Sequence, residues 1–166
     1  RSFFGRQRSD DSVHLFGNAA RNVGVTTLTD LGTSNLLDEA IVRQWTSLAD
    51  DSSPLRVAMF HGALANAPDG DEACAAAMVD LKDRSTDRIR FGNVKLLLDG
   101  SIQGGTARLK WPGYHHGGPN GIWLIAPDQY AERLAPYHRA GLQVHTHANG
   151  DEAVDVLLDG LEQVQR

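Results

Sequence analysis

The chain has 166 residues, 41% hydrophobic and 22% charged, with a formal net charge of -5 and one cysteine, Cys74. Those values suit a globular protein with one domain and a sizeable core, and they exclude an internal disulfide framework. The acidic balance and the lack of a basic run argue against a nucleic-acid surface; no apolar run reaches the roughly 18 residues of a membrane span. A reducing, cytoplasmic setting is therefore expected, with no signal peptide and no membrane contact.

In chain order, Arg1–Ser12 is polar and reads as a loop. Val13–Asn22 has helical apolar spacing and ends before Gly24. Val25–Asp30 is a short β-branched strand, followed by a turn at Gly32–Ser34. Leu36–Leu48 carries a helical apolar stripe, with Asn35 placed to cap it. After a loop at Asp50–Pro54 come a strand at Leu55–His61 and an Ala-rich helix at Gly70–Leu81. Lys82–Arg90 is a charged connection to a third strand, Gly92–Asp99. The stretch Gly100–Ala126 is too long and too glycine-rich for a plain connector. Pro127 opens a helix that runs to about Arg139 and stops at Gly141. Leu142–His147 is the fourth strand, and Asp151–Gln165 the last helix.

The pattern is a helix followed by four strand–helix units. It predicts an α/β fold with a parallel sheet covered on both sides, forming about half of a (β/α)8 barrel. An open flavodoxin-like sheet is the alternative, but GSIQGG matches neither a Walker loop nor GxGxxG. The first residue is Arg, and the last helical pattern is unfinished, so these residues are expected to be part of a longer protein.

Two strands carry polar groups where apolar ones are usual. Lys95 and Asp99 share one face of the third strand, and His145 and His147 one face of the fourth. A histidine pair on a strand face can bind one cation, or each ring can bond to nearby backbone. Asp151, at a helix start after Gly150, can cap the helix or hold a neighbouring ligand. A buried lysine must lose its proton or find a partner. One outcome is a salt bridge to Asp99 or to a carboxylate on another strand. The other is a neutral amine that takes up carbon dioxide as a carbamate, an anion suited to bridging two metal ions.

VKLLLDGSIQGGTARL, then PGY and VHTHANGDEAV, resemble the amidohydrolase superfamily, most closely its N-substituted-formamide-deformylase-like group, amidohydrolase family 3. RNVGVTTLTDLG resembles that family's second barrel unit. The resemblance implies a (β/α)8 barrel with a flanking β-domain and one or two divalent metals, expected to be zinc, at the strand C-termini. It implies Lys95 as the carboxylated, bridging lysine of the fourth barrel strand and His147 as the fifth-strand ligand. His145 lies deeper, while Asp99 and Asp151 are candidates for the metal or its surroundings. The family's first-strand HxH, sixth-strand histidine and eighth-strand aspartate, the general base, have no counterpart in these residues. The segment is thus expected to be the second to fifth units of the barrel, its base and flanking domain lying elsewhere. His14, His61, His115 and His116 are not in the context of the missing ligands; for His61, at the end of its strand, facing the pocket is one reading and an ordinary loop histidine the favoured one.

The implied activity is hydrolysis of non-peptide carbon–nitrogen bonds in a small amide or formamide by a metal-activated water. The segment alone is expected to be inactive. A non-catalytic α/β ligand-binding domain, with Lys95 on an anionic ligand, is the alternative. Trp111, Tyr114 and Trp123 in the long loop are candidates for apolar walls of the substrate site. The open edges of half a barrel favour a homo-oligomer.

Overall fold

A computed structural model of the chain describes residues 10–49, 55–65, 67–115 and 117–166. The loop expected at Asp50–Pro54 and most of the one at Arg1–Ser12 lie outside these residues, as does His116. The elements are α1 (Asp10–Asn22), β1 (Thr27–Ser34), α2 (Glu39–Leu48), β2 (Arg56–Gly62), α3 (Asp71–Lys82), β3 (Ile89–Leu97), α4 (Pro127–Arg139), β4 (Gln143–His147) and α5 (Asp151–Gln165). The strands form one sheet in the order β1-β2-β3-β4, and every neighbouring pair is parallel. This is the half barrel that the alternation of strand and helix predicts.

The helices cover one face of the sheet. Val94 and Leu96 point to that face and, with Leu98 just beyond the strand, are fully buried against Met78 of α3, Tyr130, Leu134 and Tyr137 of α4 and Ala153 of α5. The other face is open enough to leave Leu31 44% exposed. Cover on both sides, expected from the sequence, is therefore corrected. When strands follow one another in sequential order, right-handed crossovers all run on the same side, so the helices share one face.

Two glycines explain the strand limits. β2 and β3 pair Ala58 with Arg90 but Phe60 with Asn93, so β3 carries one extra residue there. Gly92 has φ of 80° at that bulge. The buried series runs Ile89, Phe91, then Val94, Leu96, Leu98, slipping by one at the bulge. A sequence reading that demands strict alternation starts the strand too late, at Gly92, and carries it past Leu97 to Asp99. Gly32 also lies inside a strand rather than in the expected turn, with φ of 86° and a register irregularity between Leu31 and Ser34. The start of α2 is corrected as well. Asp38 is its cap, its Oδ1 accepting from Ala40 N at 2.9 Å. Asn35 accepts from Leu37 N at 3.1 Å in the preceding turn.

α3 and α4 are joined by a polar clamp at the edge of the core. Arg133 donates to both oxygens of Asp71, at 2.9 and 3.2 Å, and the Tyr137 hydroxyl donates to Asp71 Oδ1 at 2.6 Å. Burial, reinforced by the Asp71 hydrogen bond, pushes the Tyr137 phenol far above its usual range. Asp71→Ala strands a buried hydroxyl and a half-buried guanidinium. It is expected to cost about 2–4 kcal/mol in urea denaturation. A loss below about 1 kcal/mol would show that the clamp is ornamental.

Candidate metal centre at the strand C-termini

The register of β3 and β4 decides what meets what. Lys95 lies directly opposite His145, and Leu97 opposite His147. All four residues therefore share the open face, away from Val94 and Leu96. Lys95 and His147 stand together at the C-terminal end of the sheet, as diagonal neighbours on adjacent strands. His145, the weaker candidate in the sequence, is the direct neighbour of Lys95.

Lys95 is half-buried, and its stem lies across glycine backbone. A Cβ on Gly32 would stand 2.8 Å from Lys95 Cβ and 3.4 Å from Gly62 Cα. Burial alone pushes the Lys95 amine below the ordinary lysine value, and no charged neighbour among the described residues opposes the shift. The salt bridge to Asp99 or to a carboxylate on another strand is thus not what these residues form.

Asp99 is fully buried and committed elsewhere. Its Oδ2 accepts from Arg108 N at 2.9 Å and Gly150 N at 2.8 Å, and its Oδ1 from Asn149 N at 2.9 Å. A carboxylate holding three backbone N–H groups at a helix N-terminus is well compensated. It lies just past β3, where it joins the start of the long loop to the turn before α5.

His147 Nε2 is 2.9 Å from the Gly100 carbonyl oxygen and 3.6 Å from Asp99 Oδ1. A carbonyl can only accept, so Nε2 carries the proton and the Nδ1 lone pair remains available. That is the usual arrangement of a ligating histidine, whose second nitrogen is held by a backbone carbonyl. His145 is exposed, its ring centroid 4.6 Å from that of Phe60. His61 is buried and pairs with Val94, on the helix-covered side; its Nδ1 accepts from Leu36 N at 3.1 Å. It does not face the pocket.

The long loop is fastened to α5. Asp151 Oδ1 accepts from Lys110 N at 2.8 Å and from Glu152 N at 3.1 Å, so it holds the loop rather than a ligand. Lys110 also pairs with Asp155. Arg108 donates to Glu152 Oε2 at 3.0 Å, bonds the Asn120 carbonyl and lies over the Trp123 ring at 4.9 Å. Asn120 accepts from Leu109 N at 2.9 Å and donates to Glu152 at 3.1 Å. The Tyr114 hydroxyl donates to the Ala107 carbonyl at 3.1 Å. Tyr114 and Trp123 thus pack the loop down, whereas Trp111 is 94% exposed. Gly100, Arg108, Asn120 and Glu152 escape sequence reasoning; the length of the glycine-rich stretch is the only signal that something is built there.

Among the described residues, no group of three His, Cys, Asp or Glu side chains is arranged to hold a metal. The candidate donors that the register of β3 and β4 sets on one open face are Lys95, His145 opposite it, and His147 two residues further along β4. An imidazole with a committed second nitrogen, on the same face as a lysine whose amine burial pushes below its ordinary value, fits part of a divalent metal site.

A sheet of parallel β/α units with polar groups gathered at its strand C-termini is the architecture of barrel enzymes. The profile described as the amidohydrolase family matches residues 6–166, and the chain belongs to that family. It is 29% identical over 83 residues to YtcJ of Bacillus subtilis (strain 168), whose own assignment as an amidohydrolase is provisional. That match covers 50% of this chain and 16% of YtcJ. The fold is similar to an uncharacterized metal-dependent hydrolase from Pyrococcus furiosus, with a TM-score of 0.74 and 22% identity over 94% of this chain. A second such hydrolase, from Pyrococcus horikoshii OT3, gives 0.69 and 19% over 93%. The chain spans 31% and 30% of those two proteins, and the likeness bears on the fold.

Proposed function

We propose that the whole protein is a metal-dependent hydrolase of carbon–nitrogen bonds in small non-peptide amides, formamides among them. In this reading Lys95 and His147 hold a divalent metal, zinc by preference for imidazole and carboxylate-like donors. One observation carries it: a half-buried lysine, without a counter-ion among the described residues, shares an open sheet face with a histidine whose Nδ1 is free. A lowered pKa raises the share of neutral amine. That amine adds carbon dioxide to give a carbamate and releases one proton, turning Lys95 into an oxygen ligand. A bound metal supplies Lewis acidity, acidifying water and polarising a carbonyl. The same lysine also suits a second reading, a site for an anionic ligand without catalysis.

Calorimetric zinc titration in bicarbonate buffer separates the two. Wild-type chain is expected to bind zinc, and Lys95→Ala and His147→Ala each to weaken it about 10-fold or more. In ¹³C-bicarbonate, a carbamate signal should appear on Lys95 when zinc is present. Zinc binding unaffected by both substitutions would sink the metal reading, and phosphate binding lost in Lys95→Ala would favour the anionic one.

The lysine also sets a pH dependence. Its folded pKa is below the unfolded 10.5, so the unfolded chain binds more protons between the two values. Stability therefore rises with pH through that window. Lys95→Met is expected to flatten the rise, measured as urea midpoints at stepped pH; an unchanged slope would assign it to other groups.

A further inference from the structure

We propose that Asp99 is the positioning residue of His147, fixing which imidazole nitrogen carries the proton and hence where the free lone pair lies. The purpose of that positioning rests on the metal reading above; its geometry does not. Two consecutive residues, Asp99 and Gly100, receive five hydrogen bonds, four from residues 147–150 at the end of β4 and the turn after it and one from Arg108 in the long loop. The Asp99 carboxylate takes the amides of Arg108, Asn149 and Gly150. The Gly100 carbonyl takes His147 Nε2 at 2.9 Å and Asn149 Nδ2 at 3.0 Å.

Gly100 is tied to the loop on its other side as well. Gly100 N donates to the Thr106 carbonyl at 3.1 Å, and a Cβ on Gly100 would stand 2.2 Å from Thr106 Oγ1. The end of β4 is held as firmly, since Leu98 N donates to the His147 carbonyl at 2.9 Å. Asp99 Oδ1, 3.6 Å from His147 Nε2, is too far for a hydrogen bond but close enough to favour the proton on the facing nitrogen. A carboxylate that only fastened a loop would need no such approach to the imidazole. Here one side chain sets the backbone that presents the carbonyl and adds the charge that selects the tautomer.

Asp99→Asn tests both roles together, because its Nδ2 can only donate and so meets at least one of the three amides that the carboxylate accepts. It keeps the volume and one acceptor while removing the charge. The measurement is long-range ¹H–¹⁵N NMR of the His147 ring at about pH 8, above the ordinary histidine range, in the 166-residue chain, with zinc affinity read in parallel. Wild-type His147 is expected to hold its proton on Nε2, protected from solvent exchange. Asp99→Asn should give a mixture of tautomers and lower zinc affinity about 10–100-fold, the usual effect of losing a group behind a ligand. Asn149→Ala, which deletes only the second donor to Gly100, should leave the tautomer unchanged.

A wild-type proton on Nδ1 would overturn the proposal, as would a folded Asp99→Asn chain with the wild-type tautomer. A tautomer switch in Asn149→Ala would also overturn it, by assigning the role to that amide. A wild-type proton on Nδ1 refutes the proposal whether or not Asp99→Asn folds. A chain with the expected tautomer that binds no zinc would remove the metal reading and leave the positioning role standing.

Discussion

Gly150→Ala is expected to destabilise the chain by roughly 3 kcal/mol or more, beyond ordinary overpacking. The reason is space rather than conformation. Gly150 has φ of -81° and ψ of 150°, which any residue adopts. A Cβ there, however, would stand 1.7 Å from the Arg108 carbonyl oxygen, 2.3 Å from its carbon and 2.7 Å from its nitrogen. These are backbone atoms, so no rotamer change makes room. Arg108 is also held from all sides: its amide donates to Asp99, its carbonyl accepts from Glu152 N at 3.2 Å, and its guanidinium is bonded to Glu152. The methyl group must lift the loop from α5, leaving a buried carboxylate short of donors.

Gly141→Ala provides the comparison. Gly141 has φ of 65° and nothing within 4 Å of a Cβ built on it, so its substitution tests strain without a clash. A left-handed alanine costs about 1–2 kcal/mol. Urea denaturation followed by tryptophan fluorescence should rank Gly150→Ala well below Gly141→Ala in stability. The reverse order would mean that the loop is not fastened as described.

The order of elements was legible because helix and strand impose different apolar periods. The limits of α4 and α5 were readable from Pro127, Gly141 and Gly150, whose backbone chemistry punctuates helices. β1 and β3 were misjudged at their ends because Gly32 and Gly92 sit inside strands as bulges, where alternation slips. Lys95 and His147 stood out because a charge in a strand is costly without a reason. Their relation to His145 did not, since it depends on the register of two strands far apart in the chain. Asp99 and Arg108 were the hardest to read. The partners of Asp99 lie 9, 50 and 51 residues away, and no local pattern announces a hydrogen bond across such distances. The covered face of the sheet was likewise set by strand order, which apolar alternation does not encode.

The 166-residue chain is expected to show no measurable hydrolysis of N-formyl or N-acyl compounds, even in zinc and bicarbonate. A catalytic divalent site usually takes three protein ligands and a water. On the proposed reading Lys95 and His147 would supply two, and His145, exposed and packed on Phe60, would have to turn to supply a third. General-base assistance is worth typically about 10²–10⁴-fold. Asp99 and Asp151, the candidate carboxylates of this chain, are engaged by backbone amides. Asp99 accepts from three amides, and Asp151 accepts from Lys110 and Glu152. Weak metal retention and the engagement of these two carboxylates compound each other, so the loss should exceed either alone. Mass spectrometry of metal content after dialysis against zinc, with an assay of an N-formyl and N-acyl panel, checks this. Stoichiometric zinc together with turnover that Lys95→Ala abolishes would show that residues of this chain complete the centre by themselves, and that Asp99 or Asp151 is released from its amides to serve as the base.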